Sequence, residues 1–172
     1  MQYFFLFILL LILGCDSTDS EPLPTPPYSV GTLTFEIDSQ GRTLPVQIWY
    51  PTTQVSTEIG IEHFETDMRR NILASLIDDS NNNCAQTLMT VSIDAPALST
   101  LEAQPIILFS HCHSCTRFSS FSTAQALAAQ GYIVAAPDHV GDTLYDEIAG
   151  NPGPLNNMFL QLRADDISTR SE

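Results

Sequence analysis

Residues Pro105–Thr143 read PIILFSHCHSCTRFSSFSTAQALAAQGYIVAAPDHVGDT, and this stretch decides the fold. Pro105–Ser110 is an apolar run without alternation, the pattern of a strand buried on both faces. Ser119–Gln130 is rich in alanine and opens on serines able to cap a helix, and Gly131 stands where a helix-terminating glycine belongs. Tyr132–Pro137 reads as a second buried strand. Strand, helix and strand in that order predict a βαβ unit and an α/β fold. Two polar segments sit at the carboxyl ends of the strands, His111–Cys115 after the first and Asp138–Asp142 after the second. In open α/β sheets ligands bind at that edge.

Working outward, Gly31–Ile37 alternates Leu33, Phe35 and Ile37 with Thr32, Thr34 and Glu36, which predicts a half-buried strand. Thr43–Tyr50 follows with Leu44, Val46 and Ile48 on one side. The two read as an antiparallel hairpin whose loop, Ser39–Arg42, is slightly longer than the tightest type. Ile61, Phe64, Met68, Ile72, Leu73, Leu76 and Ile77 roughly follow helical spacing and predict a helix over about 59–78. Asp78–Cys84 is a polar loop, and Thr87–Ile93 is a short strand or an apolar loop. Leu155–Ile167, behind the Asn151–Pro154 turn, predicts a further helix. No fixed-period repeat is present.

The 172 residues are enough for one domain with its own core, and 44% hydrophobic against 15% charged content suits a globular chain. The net charge is −14, and all six basic residues are arginines. That balance argues against a nucleic-acid partner, which needs clustered cations, and against charge-driven docking on anionic lipid. Tyr3–Leu13 is an uninterrupted apolar run, shorter than the roughly 20 residues of a spanning helix and suited to a signal peptide. Ile12-Leu13-Gly14-Cys15 resembles a bacterial lipobox, although no Lys or Arg precedes the apolar core. The resemblance implies a signal peptide over 1–14, lipidation of Cys15 and anchoring to a bilayer in the bacterial envelope; the alternative is an ordinary signal peptide and a secreted product. Asp16–Pro27, acidic and proline-rich, is a tether. The organisation expected is therefore a signal peptide (1–14), a lipid-attachment cysteine and tether (15–29), and a folded domain (30–172).

Arg42–Pro51 (RTLPVQIWYP) together with the Ser110–Thr143 stretch resembles the N-terminal half of an α/β-hydrolase, nearest to bacterial relatives of platelet-activating-factor acetylhydrolase and dienelactone hydrolase. The likeness covers about Thr32–Ile167 and is weak over Gln54–Leu101. It implies hydrolysis of short acyl or phospholipid esters by a serine, a histidine and an acid, with no cofactor. The family's serine sits in G-x-S-x-G. The glycines here are Gly14, Gly31, Gly41, Gly60, Gly131, Gly141, Gly150 and Gly153, and no two lie four apart. The expectation is thus an incomplete α/β-hydrolase, ending before the nucleophile turn, inactive alone and marginally stable. By position, His111 matches the family histidine of the oxyanion loop and Cys112 replaces its first glycine. The oxyanion donor would be the backbone N–H of His113, and a cysteine would be strained if that position needed φ > 0. His111 is expected to stabilise the loop by hydrogen bonding, and Asp138 and His139 to rim the site.

The His111, Cys112, His113 and Cys115 cluster has other readings. Four ligands within five residues seldom reach one tetrahedral metal, and a cysteine nucleophile beside its own histidine is weakly supported. After export a disulfide is favoured, pairing Cys84 with Cys112 or Cys115, or Cys112 with Cys115. Two function classes follow: a serine-esterase lineage lacking its nucleophile, and a non-enzymatic surface lipoprotein with a metal at this cluster.

Overall fold

A computed structural model describes residues 26–79, 88–99 and 103–168. Strands β1 (Ser29–Ser39) and β2 (Arg42–Thr52) pair antiparallel over their whole length. Their loop is only Gln40–Gly41, tighter than the sequence suggests. Both residues take positive φ (54° and 74°), the mirror-image turn that matches strand twist in two-residue hairpins.

The register pairs Leu33 with Ile48, Phe35 with Val46 and Ile37 with Leu44, so the hairpin does carry one continuous apolar face. It is not the face turned to the main core. Trp49, Val134 and Ala136 lie on the opposite face with Val30, under Phe118, Phe121, Ala124 and Ala128. Thr32 and Gln47 share that face, fully buried, and satisfy each other: Gln47 donates to Thr32 Oγ1 at 2.7 Å, and Thr32 donates to the Ile48 carbonyl at 2.7 Å. Buried polar groups are tolerated when paired in this way.

The stretch predicted as one helix over 59–78 divides in three: β3 (Thr57–Gly60), a 3-10 turn (Ile61–Phe64) and α1 (Asp67–Asp79). The apolar residues before Asp67 served two periods at once, and β3 gains a partner that local sequence does not announce. That partner is β4 (Leu88–Ile93), antiparallel to β3 and parallel to β1. The ambiguous Thr87–Ile93 is therefore largely strand.

The βαβ unit forms as expected in outline: β5 (Ile106–Leu108), α2 (Phe121–Ala129) and β6 (Ile133–Pro137), with β5 and β6 parallel. Gly131 (φ 102°) ends α2, its N–H and that of Tyr132 returning to the Ala128 and Leu127 carbonyls. Ser120 occupies the cap position but makes no side-chain cap bond; Ser119 Oγ instead accepts from the Thr116 N–H at 3.1 Å. The order of the sheet is β3-β4-β1-β2-β6-β5. So β5 is an edge strand among the described residues, with Ile106 64% and Leu108 52% exposed, where its composition predicts a strand buried on both faces. Two helices follow. The short α3 (Leu144–Ile148), missed in the sequence, starts at a capping box in which Thr143 and Asp146 satisfy each other's backbone N–H. The predicted C-terminal helix is α4 (Asn157–Ile167), capped by Asn156.

Candidate active site at the carboxyl end of β5 and β6

The chain leaves β5 at Ser110 and turns at once through His111–Cys115. Cys112 and Cys115 are joined as a disulfide with Cα atoms 5.2 Å apart, one of the three pairings the sequence allowed; Cys84 lies outside the described residues. The Cys115 N–H reaches back to the Cys112 carbonyl. Left-handed backbone falls on Ser114 (φ 53°), not on Cys112. The cysteine that replaces the expected glycine is therefore unstrained, and a cost of roughly 1–2 kcal/mol is carried two positions later, at Ser114. The N–H groups of Cys112, His113 and Ser114 find no acceptor among the described residues.

His111 is buried beneath this turn. Its Nε2 accepts from the His139 N–H at 2.9 Å, which leaves Nδ1–H to donate to the Cys112 carbonyl at 2.6 Å. Burial, the largest influence, holds its pKa below the ordinary histidine value, so the ring is a neutral brace between the two loops. This is the loop-stabilising role expected of it.

His139 is the residue whose setting differs most from expectation. It and Asp138 were expected to rim the site, yet both side chains are fully buried. Asp138 is neutralised from two sides: its Oδ2 accepts from Arg117 Nη1 at 2.6 Å and Arg69 Nη1 at 3.2 Å, and its Oδ1 accepts the Arg117 N–H at 2.7 Å. His139 sits between a hydroxyl and a carboxylate. Its Nδ1 is 2.9 Å from Asp166 Oδ2, and its Nε2 is 2.8 Å from Ser110 Oγ. An ionised Asp166 can only accept, so Nδ1 carries the proton and Nε2 accepts from the Ser110 hydroxyl.

Asp166 is fixed by more than His139. Ser39 donates to its Oδ1 at 2.7 Å, and Arg42 forms an ion pair with the same oxygen. Burial by itself would raise its pKa, but the His139 and Ser39 hydrogen bonds and the Arg42 charge outweigh that and hold the carboxyl below its usual range. On the solvent side Arg163 donates to Ser110 Oγ at 3.2 Å, to Asp142 Oδ2 at 2.7 Å and to the His111 carbonyl. Asp142 Oδ1 also meets His113 Nδ1.

The sequence therefore placed His111, Cys112, His113, Cys115, Asp138 and His139 at one sheet edge, and the structure brings them together. It missed Ser110, Asp166, Arg163 and Arg117. The available signal was Arg163 and Asp166, three apart on one helix, but nothing local ties that helix to Ser110. Cys15 lies outside the described residues. With both sulfurs of the turn bonded to each other and both ring nitrogens of His111 occupied, the cluster is not arranged as a metal cage. Among the described residues no group of three or more His, Cys, Asp or Glu could hold an ion.

The family model described as platelet-activating factor acetylhydrolase, isoform II, matches residues 14–144. A ferulic acid esterase from Streptomyces cinnamoneus has a similar fold, with a TM-score of 0.51 at 20% identity. The similarity covers 72% of this chain and 36% of that one, so the chain spans about a third of that esterase. No curated protein matches.

Proposed function

Because the chain belongs to the platelet-activating factor acetylhydrolase, isoform II, family, we propose that its fold serves the hydrolysis of carboxylic esters, and of short-acyl or phospholipid esters in particular. The observation that carries this reading is the His111–Cys115 turn. It stands at the carboxyl end of β5, and its Cys112, His113 and Ser114 N–H groups are uncommitted among the described residues. Such donors stabilise the oxygen that becomes charged when an ester carbonyl is attacked, each worth about 3–4 kcal/mol in the transition state. His113 supplies the donor in this reading. The pinned His111 and the Cys112–Cys115 bond keep it in place before substrate arrives.

The family's route also needs the serine of a G-x-S-x-G turn, and these 172 residues contain none. The chain by itself is accordingly expected to show no multiple turnover of an sn-2-acetylated phospholipid. Joining it to the carboxyl-terminal half of a family esterase should create turnover, and His113→Pro, which deletes one N–H, should then lower kcat by about 10²–10³-fold. A chimera indifferent to that substitution would refute the oxyanion role. The lipobox-like Cys15 adds a bilayer anchor to the proposal, so that the site works at an envelope membrane. Labelling of the full chain by radioactive palmitate, lost in Cys15→Ser, checks this.

A further inference from the structure

We infer that Ser110 is a nucleophilic serine in its own right, one that takes acyl or phosphonyl groups from activated esters. The inference goes beyond the proposed function: it uses no G-x-S-x-G serine, and its failure would leave the oxyanion reading standing.

Three observations support it. The first is the series Ser110 Oγ–His139 Nε2 (2.8 Å) and His139 Nδ1–Asp166 Oδ2 (2.9 Å). A hydroxyl, an imidazole and a carboxylate are joined in the order and at the distances that proton removal by a general base requires. The second is the contrast in burial. His139 and Asp166 are inaccessible, whereas Ser110 is exposed at the sheet edge. Only the Ser110 end of the series lies at the surface, with Arg163 beside it on the solvent side. The third is the charge around the series. Asp166 is anchored by Ser39 and Arg42, so it cannot swing away from the imidazole, and Arg163 lies 3.2 Å from Ser110 Oγ, where it favours an alkoxide or a tetrahedral oxyanion. A hydrogen-bonded tether between β5 and α4 would need neither a surface-exposed Ser110 nor the adjacent guanidinium.

The step is acyl transfer. Ser110 Oγ bonds to the ester carbonyl carbon while its proton passes to His139 Nε2. The resulting imidazolium is stabilised by Asp166 through the Nδ1–H bond. When the carbon–oxygen bond of the ester breaks, the leaving alcohol takes the proton from Nε2. The products are acyl-Ser110 and a free alcohol, with His139 again neutral. A phosphonofluoridate reacts in the same way at phosphorus, with fluoride leaving.

The test treats the full chain, held in detergent micelles, with a fluorophosphonate probe and locates the adduct by peptide mass spectrometry. One probe per chain is expected, on Ser110, at a rate about 10²–10⁴-fold above that of the urea-unfolded chain, the usual contribution of a positioned base. Ser110→Ala should lose the label with an unchanged circular dichroism spectrum. With p-nitrophenyl acetate, the unmodified chain should release a burst of one equivalent of p-nitrophenol, absent from Ser110→Ala. Labelling at another residue, or labelling no faster than in the unfolded chain, overturns the inference.

Discussion

Arg117 is the side chain on which the buried charges of this molecule depend. It is almost wholly buried, yet it satisfies Glu65 Oε1 at 2.7 Å, Asp138 Oδ2 at 2.6 Å and the Phe64 carbonyl at 2.9 Å. Truncating one member of such a group leaves the other charges in low dielectric without a partner. Arg117→Ala should therefore cost about 3–5 kcal/mol in urea denaturation, far more than loss of the exposed Arg70–Asp67 pair, worth about 0–1 kcal/mol. Equal effects of Arg117→Ala and Asp67→Ala, which removes only the exposed partner of that pair, would show that solvent reaches the Glu65–Asp138 pocket. Tyr145 belongs to the same pocket: burial first, then the Glu65 charge, raises its pKa, so it stays a donor to Glu65 Oε1.

His111 and Asp166 set the pH response of the fold. The folded pKa of His111 is lowered by burial, so between that value and the ordinary ~6.5 the unfolded chain binds a proton the folded chain refuses. Its contribution is complete above ~6.5 and is lost as pH falls through the folded value. Asp166, whose folded pKa is also lowered, contributes fully above the ordinary ~3.9 and loses that contribution as pH falls further. The melting temperature should thus begin to decline just below pH ~6.5 and fall again below pH ~4. His111→Gln should flatten the first decline and leave the second. A melting temperature constant down to about pH 5 would contradict the assignment of a neutral, buried His111.

Among the elements, α2 is the most locally determined. Its alanines, its glycine stop and the strand behind it are all legible in sequence, because each acts within a few residues. Gly131 takes φ 102°, and a Cβ there would meet only Tyr28 Cε2 at 3.5 Å, an ordinary contact. Gly131→Ala should therefore cost only backbone strain, roughly 1–2 kcal/mol. Gly153 reverses the argument: its φ is unremarkable, but a Cβ would lie 2.3 Å from the Gly141 carbonyl oxygen. Gly153→Ala must push apart the Asp138–Asp142 loop and the segment before α4, and should cost more than Gly131→Ala. Thermal denaturation of the two variants ranks them, and the opposite ranking would mean the Gly153 segment yields freely. What sequence could not show is the set of elements whose identity depends on distant partners. β3 exists because β4 pairs with it, and the 59–78 periodicity cannot announce that. The site divides along the same line: His111–Cys115 and Asp138–His139 are visible as turns after strands, while Ser110 and Asp166 gain meaning only when α4 lies beside β5.

At the scale of the whole molecule the sheet is covered unequally. The Trp49 face is closed by α2 and Phe118. On the other face Phe35 is 40% exposed, Leu33, Ile37 and Ile48 are half-buried, and a cleft runs past Leu108 and Ala135 to Ile167. This face continues to the open edge of β5, where Ile106 and Leu108 have no neighbouring strand among the described residues. Beyond Pro105, which opens it, this apolar edge carries no charge or further proline, and such an edge is a template for pairing with another chain. The full chain is accordingly expected to self-associate even though its net charge of −14 opposes close approach. Two substitutions separate edge pairing from general charge repulsion. Ile106→Glu adds charge in the direction the chain already carries, while Ile106→Lys brings the net charge one unit nearer neutrality. If association proceeds through the β5 edge, both should lower light scattering, because a desolvated charge at a pairing edge is costly whatever its sign. Both should leave the melting temperature nearly unchanged, since Ile106 gives up little buried area. Suppression by the glutamate alone would assign the association to net charge and acquit the edge.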